Sequence, residues 1–163
     1  MSDGGSLGEV VPARLSTARR TARSAERELI AAISAGGRSA MEELYFLHFA
    51  RLAKFFLHVT GRVDLVEDLI NDTMFDVWRE SAKIGSDTSV PAWIMGLAYS
   101  RGQMRLAAAG LTGPSFEERA VLHLVYAGGF SRQSIADIMD TSGVRVDVLL
   151  TDARHRLRRT SPS

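Results

Sequence analysis

From Leu15 to Leu157 the apolar residues of this chain recur every three or four positions, and nowhere do they alternate over the length of a strand. A three-to-four spacing gathers them on one face of a helix, whereas a half-buried strand would need a period of two between turn residues. The pattern predicts an all-α protein with no sheet. Glycines punctuate it: Gly36-Gly37, Gly61 and Gly128-Gly129 each stand where one periodic run stops, the usual place of glycine past a helix end. The first run carries Leu15, Ala18, Ala22, Ala25, Leu29 and Ala32. The second starts near Ser39 and turns Met41, Leu44, Tyr45, Phe49, Leu52, Phe55, Phe56 and Val59 inward. A third spans about residues 63–83. A fourth spans about 91–108, with Pro91 suited to its first turn. Residues 1–13, rich in Gly, Ser and Pro, lack a period and are expected to hold no regular structure.

A cluster of Gly, Thr and Pro at 110–115 breaks the chain. Three shorter helices are expected beyond it: about 116–126 with Ser115 as N-cap, about 131–139 with a Ser N-cap, and about 144–159. Two short helices and a longer one describe a helix-turn-helix module. The organisation is then two small helical domains, 26–107 and 116–159, joined by a short linker at 108–115. An extension at 1–25 and a tail at 160–163 flank them. The first helix should run unbroken into the extension and pack there on the body or on a second copy. Its alanines bury little area, so any such self-association is weak.

Composition excludes much. There is no cysteine, hence no disulfide, no thiolate zinc site and no thiol nucleophile. His48, His58, His123 and His155 have no metal-binding spacing, and no P-loop, dinucleotide fingerprint or nucleophile elbow is present. No catalytic residue, cofactor or metal is therefore expected. No apolar run reaches the ~18 residues of a membrane span, so membrane insertion is not expected and a cytoplasmic setting is. The net charge is only +1, too small for a protein devoted to non-specific DNA binding. Charge is unevenly spread: six bases and four acids in 1–40, seven and nine in 41–107, seven and six in 108–163. Four bases of the last segment crowd into Arg154, Arg156, Arg158 and Arg159.

Within the acidic middle, Asp64, Asp68, Asp72 and Asp76 recur every fourth residue, beside an apolar stripe of Leu65, Leu69, Ile70, Thr73, Val77 and Trp78. Alone, such an edge is a solvated helix face as readily as a docking surface. It lacks the Glu-x-x-His partner of a carboxylate metal site. The full string Asp68-Leu-Ile-Asn-Asp-Thr-Met-Phe-Asp-Val-Trp-Arg79 resembles the polymerase-docking helix of bacterial extracytoplasmic-function (group IV) sigma factors. Glu28-Leu-Ile with Ala40-Met-Glu-Glu-Leu-Tyr45 is similar to the opening of sigma domain 2. Val90-Pro-Ala-Trp-Ile-Met-Gly-Leu-Ala98 is similar to the start of its promoter-melting helix. Ala120-Val-Leu-His-Leu124 and Ser134-Ile-Ala-Asp-Ile138 resemble pieces of sigma domain 4. The pieces fall in the family's order and cover about residues 26–159.

The resemblance implies a non-enzymatic initiation factor that binds core RNA polymerase, promoter DNA and an anti-sigma or other regulator protein. It implies polymerase contacts at Asp64, Asp68, Asn71, Asp72, Phe75, Asp76 and Arg79. It implies DNA contacts at Trp93, Arg101, Arg105, Arg132, Arg145, Arg154 and Arg156. The departures are also specific. After Ala98 the family's Asn, Asp and trailing arginines are missing, although Arg105 remains. In the last helix Asp147 and Asp152 stand where cations would meet phosphates, and Val148 and Leu149 replace polar residues. Val146, Leu150, Ala153 and Leu157 already supply a core stripe there, which leaves Val148 either packed or free for a partner. The linker of eight residues reaches ~28 Å at ~3.5 Å per residue, less than one DNA turn of about 34 Å. Two readings follow: an alternative sigma factor, or a sigma-like interaction protein that binds a regulator or polymerase without reading promoters. An unrelated helical adaptor is the remaining alternative.

Overall fold

The computed structural model describes residues 10–111 and 114–161, with side chains described from residue 14 and not at Pro114. Within these residues the chain forms seven α-helices, one 3-10 turn and no strand. The helices are α1 (Val10–Ser34), α2 (Arg38–Thr60), α3 (Val63–Glu80), α4 (Val90–Ala108), α5 (Pro114–Tyr126), α6 (Arg132–Ile138) and α7 (Gly143–Thr160). The 3-10 turn, Ser81–Lys83, follows α3.

Local chemistry sets the helix ends. Gly61 closes α2 in the left-handed region, at φ 65°, and donates its N–H to the Leu57 carbonyl at 2.9 Å. The hydroxyls of Ser89, Ser131 and Ser142 accept backbone N–H bonds from Ala92, Ser134 and Arg145, capping α4, α6 and α7. The N-cap expected at Ser115 is absent, because α5 begins one residue earlier at Pro114, a residue with no N–H to leave unpaired. α1 also starts earlier than expected, so residues 10–13 are helical. The expectation for residues 1–9 lies outside the described residues.

α1 to α4 pack around Leu44, Leu52, Ile70, Val77, Ile94 and Ala98, all buried. The helix-turn-helix, α5 to α7, closes on Ala120, Leu124, Ile135, Val146 and Leu149. Both sets belong to one continuous apolar cluster. α2 meets α5 and α4 meets α6. Phe116 of α5 is inserted at this seam, stacked on Tyr99 of α4 with ring centroids 5.4 Å apart. Gly102 makes the room: a Cβ there would lie 3.5 Å from the Phe116 ring and 3.6 Å from that of Phe56. Arg119 of α5 donates two hydrogen bonds, 3.0 and 2.8 Å, to the Val59 carbonyl in the last turn of α2, where the helix leaves carbonyls without partners. Burial pushes His48 and His123 down to about 4, so both sit in this interior as neutral rings at neutral pH.

Some inward positions differ from expectation. Phe49 is exposed, and Leu157 faces solvent. Leu149, expected on the outside of α7, is buried, while Val148 remains exposed. α1 is continuous as expected, but residues 14–24 are all exposed and packing on the body starts near Glu26. Along residues 14–24 the expected contact with the body is not made, which leaves the contact with a second copy as the open half of that expectation.

Because one core spans both helical units, they should unfold together. Phe116→Ala removes a fully buried ring from the seam and should cost about 3–5 kcal/mol. Urea unfolding followed by helicity should remain a single transition shifted as a whole. Selective loss of α5 to α7, with α1 to α4 unfolding unchanged, would contradict the shared core.

Candidate functional site

α3 presents two very different faces. Leu69, Ile70, Thr73, Met74 and Val77 are buried, whereas Asp64, Glu67, Asp68, Asn71, Phe75, Trp78 and Arg79 are exposed. Trp78 thus lies outside the apolar stripe expected of it. The four aspartates do not share one edge. A step of four residues overshoots a helical turn by about 40°, so three steps rotate the side chain by roughly 120°. Asp64 and Asp68 remain in solvent, Asp72 is half-buried, and Asp76 turns into the interior at 6% exposure.

Asp76 is there a structural anchor. Arg101 of α4 forks onto both its oxygens at 2.5 and 2.6 Å, and Arg79 reaches Oδ1 at 2.9 Å. Hydrogen bonding to Asp76 raises the affinity of the Arg101 guanidinium for its proton above the ordinary value. The expected polymerase contact at Asp76 and DNA contact at Arg101 are therefore spent on each other, tying α3 to α4. The outer acids are held more loosely. Arg62 grips Asp64 at 2.6 and 2.8 Å, and Arg105 approaches Asp68 at 3.4 Å. Asn71 accepts a bond from the Tyr45 hydroxyl at 3.2 Å. The Arg79 guanidinium lies over the exposed Phe75 ring, 5.7 Å from its centroid.

Next to this acidic edge is a surface that periodicity alone did not single out. Tyr45, Phe49, Ala53 and Leu57 of α2 and Val63 and Val66 of α3 line an open groove of about 490 Å³. Phe46, exposed to 78%, and Leu47 extend the apolar surface of α2. The available signal was that α2 is apolar nearly all round, which one core-facing stripe does not require.

The expected DNA contacts lie on α4, α6 and α7. Trp93 is half-buried and lines a cleft of about 630 Å³ between α4 and α6, together with Ser89, Gln103, Asp87, Asp137 and Asp140. α6 packs against α4 here: a Cβ on Gly96 would lie in van der Waals contact, 3.8 Å from the Ile138 backbone. The four expected arginines of the helix-turn-helix all have partners. Arg132 pairs with Asp147 through two bonds of 2.9 and 2.8 Å, Arg145 meets Glu117 at 3.0 Å, and Arg154 donates to the Tyr126 hydroxyl at 2.9 Å. Arg156 lies 3.3 Å from Glu118, a buried carboxylate. The Arg132 guanidinium lies against Gly143, where a Cβ would come within 2.5 Å of it. Among the described residues no cluster of His, Asp or Glu is arranged to hold a metal ion, and no helix is long and apolar enough to cross a membrane.

This arrangement of helices occurs in solved structures. The structure of CnrH in complex with the cytosolic domain of CnrY matches 83% of this chain and 96% of that chain, with a TM-score of 0.67 and 21% identity. The sigma factor RpoE of Bartonella quintana, in complex with the anti-sigma factor NepR, matches 72% of this chain and 94% of that chain, with a TM-score of 0.60 and 19% identity. The chain has a sigma-factor fold. No protein-family model matches the sequence, and no curated protein does. At such low identity the likeness is one of fold, carried by helix order and packing.

The Asp76 anchor gives a direct test within this fold. Asp76→Ala should cost about 2–3 kcal/mol, below the ~3–5 of a fully buried broken pair because water still reaches Arg101 and Arg79. In a double-mutant cycle with Arg101→Met most of that cost should disappear. A change under about 0.5 kcal/mol in the urea midpoint free energy would show that the pair is not an anchor.

Proposed function

We propose that this protein is an alternative sigma factor: it docks on bacterial core RNA polymerase and directs transcription initiation by binding promoter DNA. The observation that carries the reading is α3, a helix of a sigma-factor fold whose inner face is core and whose outer face holds acids beside an apolar groove. Asp64, Asp68, Asn71 and Phe75, with Asp72 at their margin, form that docking edge, and Tyr45, Phe49, Leu57 and Val66 supply its apolar part. Exposed carboxylates steer a basic partner and set register, while the apolar groove contributes affinity. The role is binding rather than catalysis, exercised in the cytoplasm where polymerase and genome are found. Both solved relatives are recorded with a protein partner bound, which supports a regulator protein as a further ligand of this chain.

Promoter binding requires the closed seam to change. The cleft between α4 and α6 carries Asp87, Asp137 and Asp140, and carboxylates repel phosphate. Docking on polymerase would separate α5 to α7 from α4 and free Trp93. The ion pairs of α7 are a small obstacle. Arg132 and Asp147 are each more than half exposed, and exposed pairs contribute only ~0–1 kcal/mol. Arg156 is different, because leaving it would strand the buried Glu118.

The paired state of Arg132, Arg145, Arg154 and Arg156 favours a second reading, in which a sigma-like protein binds polymerase or a regulator without reading promoters. Asp147→Asn separates the two. Under the initiation-factor reading it releases Arg132 and tightens promoter binding in the polymerase complex several-fold. Unchanged DNA affinity, together with intact capture of polymerase, would favour the interaction-protein reading.

Docking itself is tested by charge reversal. Asp64→Lys with Asp68→Lys should abolish co-purification with core polymerase at moderate salt while helicity stays unchanged, since both side chains are solvent-exposed. Undiminished co-purification would refute the assignment of α3 as the docking edge.

A further inference from the structure

The first half of α1 has no task in the fold. Residues 14–24 are exposed along their whole length, yet they carry Arg14, Arg19, Arg20 and Arg23 and no acid. Most arginines of the body have partners; Arg19, Arg20 and Arg23 have none among the described residues. They are also grouped. Successive helix residues turn by about 100°, so Arg23 falls between Arg19 and Arg20 and the three share a sector of roughly 100°. Together with Leu15 and Ser16 they line one shallow concavity. One turn further along the same face, Arg27 donates hydrogen bonds to the carbonyls of Gly85 and Thr88. That bond fixes the stripe's direction: it extends outward from the loop that leads into α4.

The surroundings select among polyanions. Between the arginines the helix carries only Ser, Thr and Ala, apart from Leu15. A membrane-surface helix needs a large apolar face, and a helix that fills a protein groove needs several apolar anchors. Single-stranded nucleic acid is held by aromatic stacking, and residues 14–25 contain no aromatic. A slim, cationic helix of about 18 Å, at 1.5 Å per residue over residues 14–25, fits the wide major groove of B-form DNA. The deep, narrow major groove of duplex RNA would not admit it.

We propose that residues 14–25 form a second, sequence-independent contact with duplex DNA, through phosphates held by Arg19, Arg20 and Arg23. The contact lies beside the entrance to α4, and it deepens the promoter-binding reading by supplying affinity that the paired arginines of α7 do not. Carboxylates of Glu26 and Asp87 border the inner end of the stripe next to Arg23, which places the DNA toward its outer end.

The test uses the full chain and the variant Arg19→Gln/Arg20→Gln/Arg23→Gln. Glutamine keeps a helix propensity close to that of arginine, and helicity is checked first. Affinity for a duplex DNA of arbitrary sequence is measured against salt, with single-stranded DNA and duplex RNA as parallel probes. Polymerase capture is measured on the same proteins. Three lost phosphate contacts should reduce the slope of log affinity against log salt by about 2.7, with polymerase capture unchanged. An unaltered slope, or no duplex binding by the unmodified chain, overturns the proposal. If polymerase capture persists in that case, the initiation-factor reading stands. Equal loss on single-stranded DNA or RNA would overturn the choice of duplex DNA. Loss of self-association in place of DNA binding would assign the stripe to a second copy.

Discussion

Phe116 in the space left by Gly102 is the contact on which the rest of the structure depends. It brings α5 against α2 and α4, stacks on Tyr99 and joins what would otherwise be two small helical units. Small units bury a low fraction of their surface and are marginally stable alone. Sharing a core offsets that weakness, and it has a consequence for function. The face of α4 that carries Trp93 is then covered in part by α6, and the cleft left between them is acidic. The same packing that stabilises the chain holds it in a form poorly suited to phosphate.

The surfaces left free have the opposite character. α3 and α2 expose acids and a groove of aromatic and aliphatic side chains, a combination suited to a large basic partner. α1 extends an arginine stripe past the body. Opening of the seam by a partner on the α2–α3 surface requires docking to offset the cost of exposing Phe116. A polymerase-sized interface can do so, whereas free DNA alone has little to offer to the apolar seam. Under the proposed function, docking before DNA binding is the order these surfaces favour.

Much of the fold was legible in the residues. A three-to-four apolar period located the seven helices of the described residues, because local patterning reflects one buried face per helix. Gly61 and Ser131 marked their ends for reasons of backbone geometry and hydrogen bonding. What the period could not give was the neighbour. Asp76 looked like part of an outer edge, since its spacing from Asp72 is correct, but the accumulated drift of a 3.6-residue helix carried it inward to Arg101. Phe49 looked like core because α2 is apolar on more than one side. Arg132, Arg145 and Arg156 looked free because their acids, Asp147, Glu117 and Glu118, come from other turns and helices. Phe116 gave no sign of its seam role, which exists only when units distant in sequence meet.

Multi-round transcription with bacterial core RNA polymerase and fragmented genomic DNA, read by sequencing the products, tests the central claim most directly. The initiation-factor account predicts transcripts that begin at a limited set of sites only when this protein is added. It also predicts that these start sites share upstream sequence. No added transcripts, although the protein is retained on polymerase in the same reaction, would contradict it.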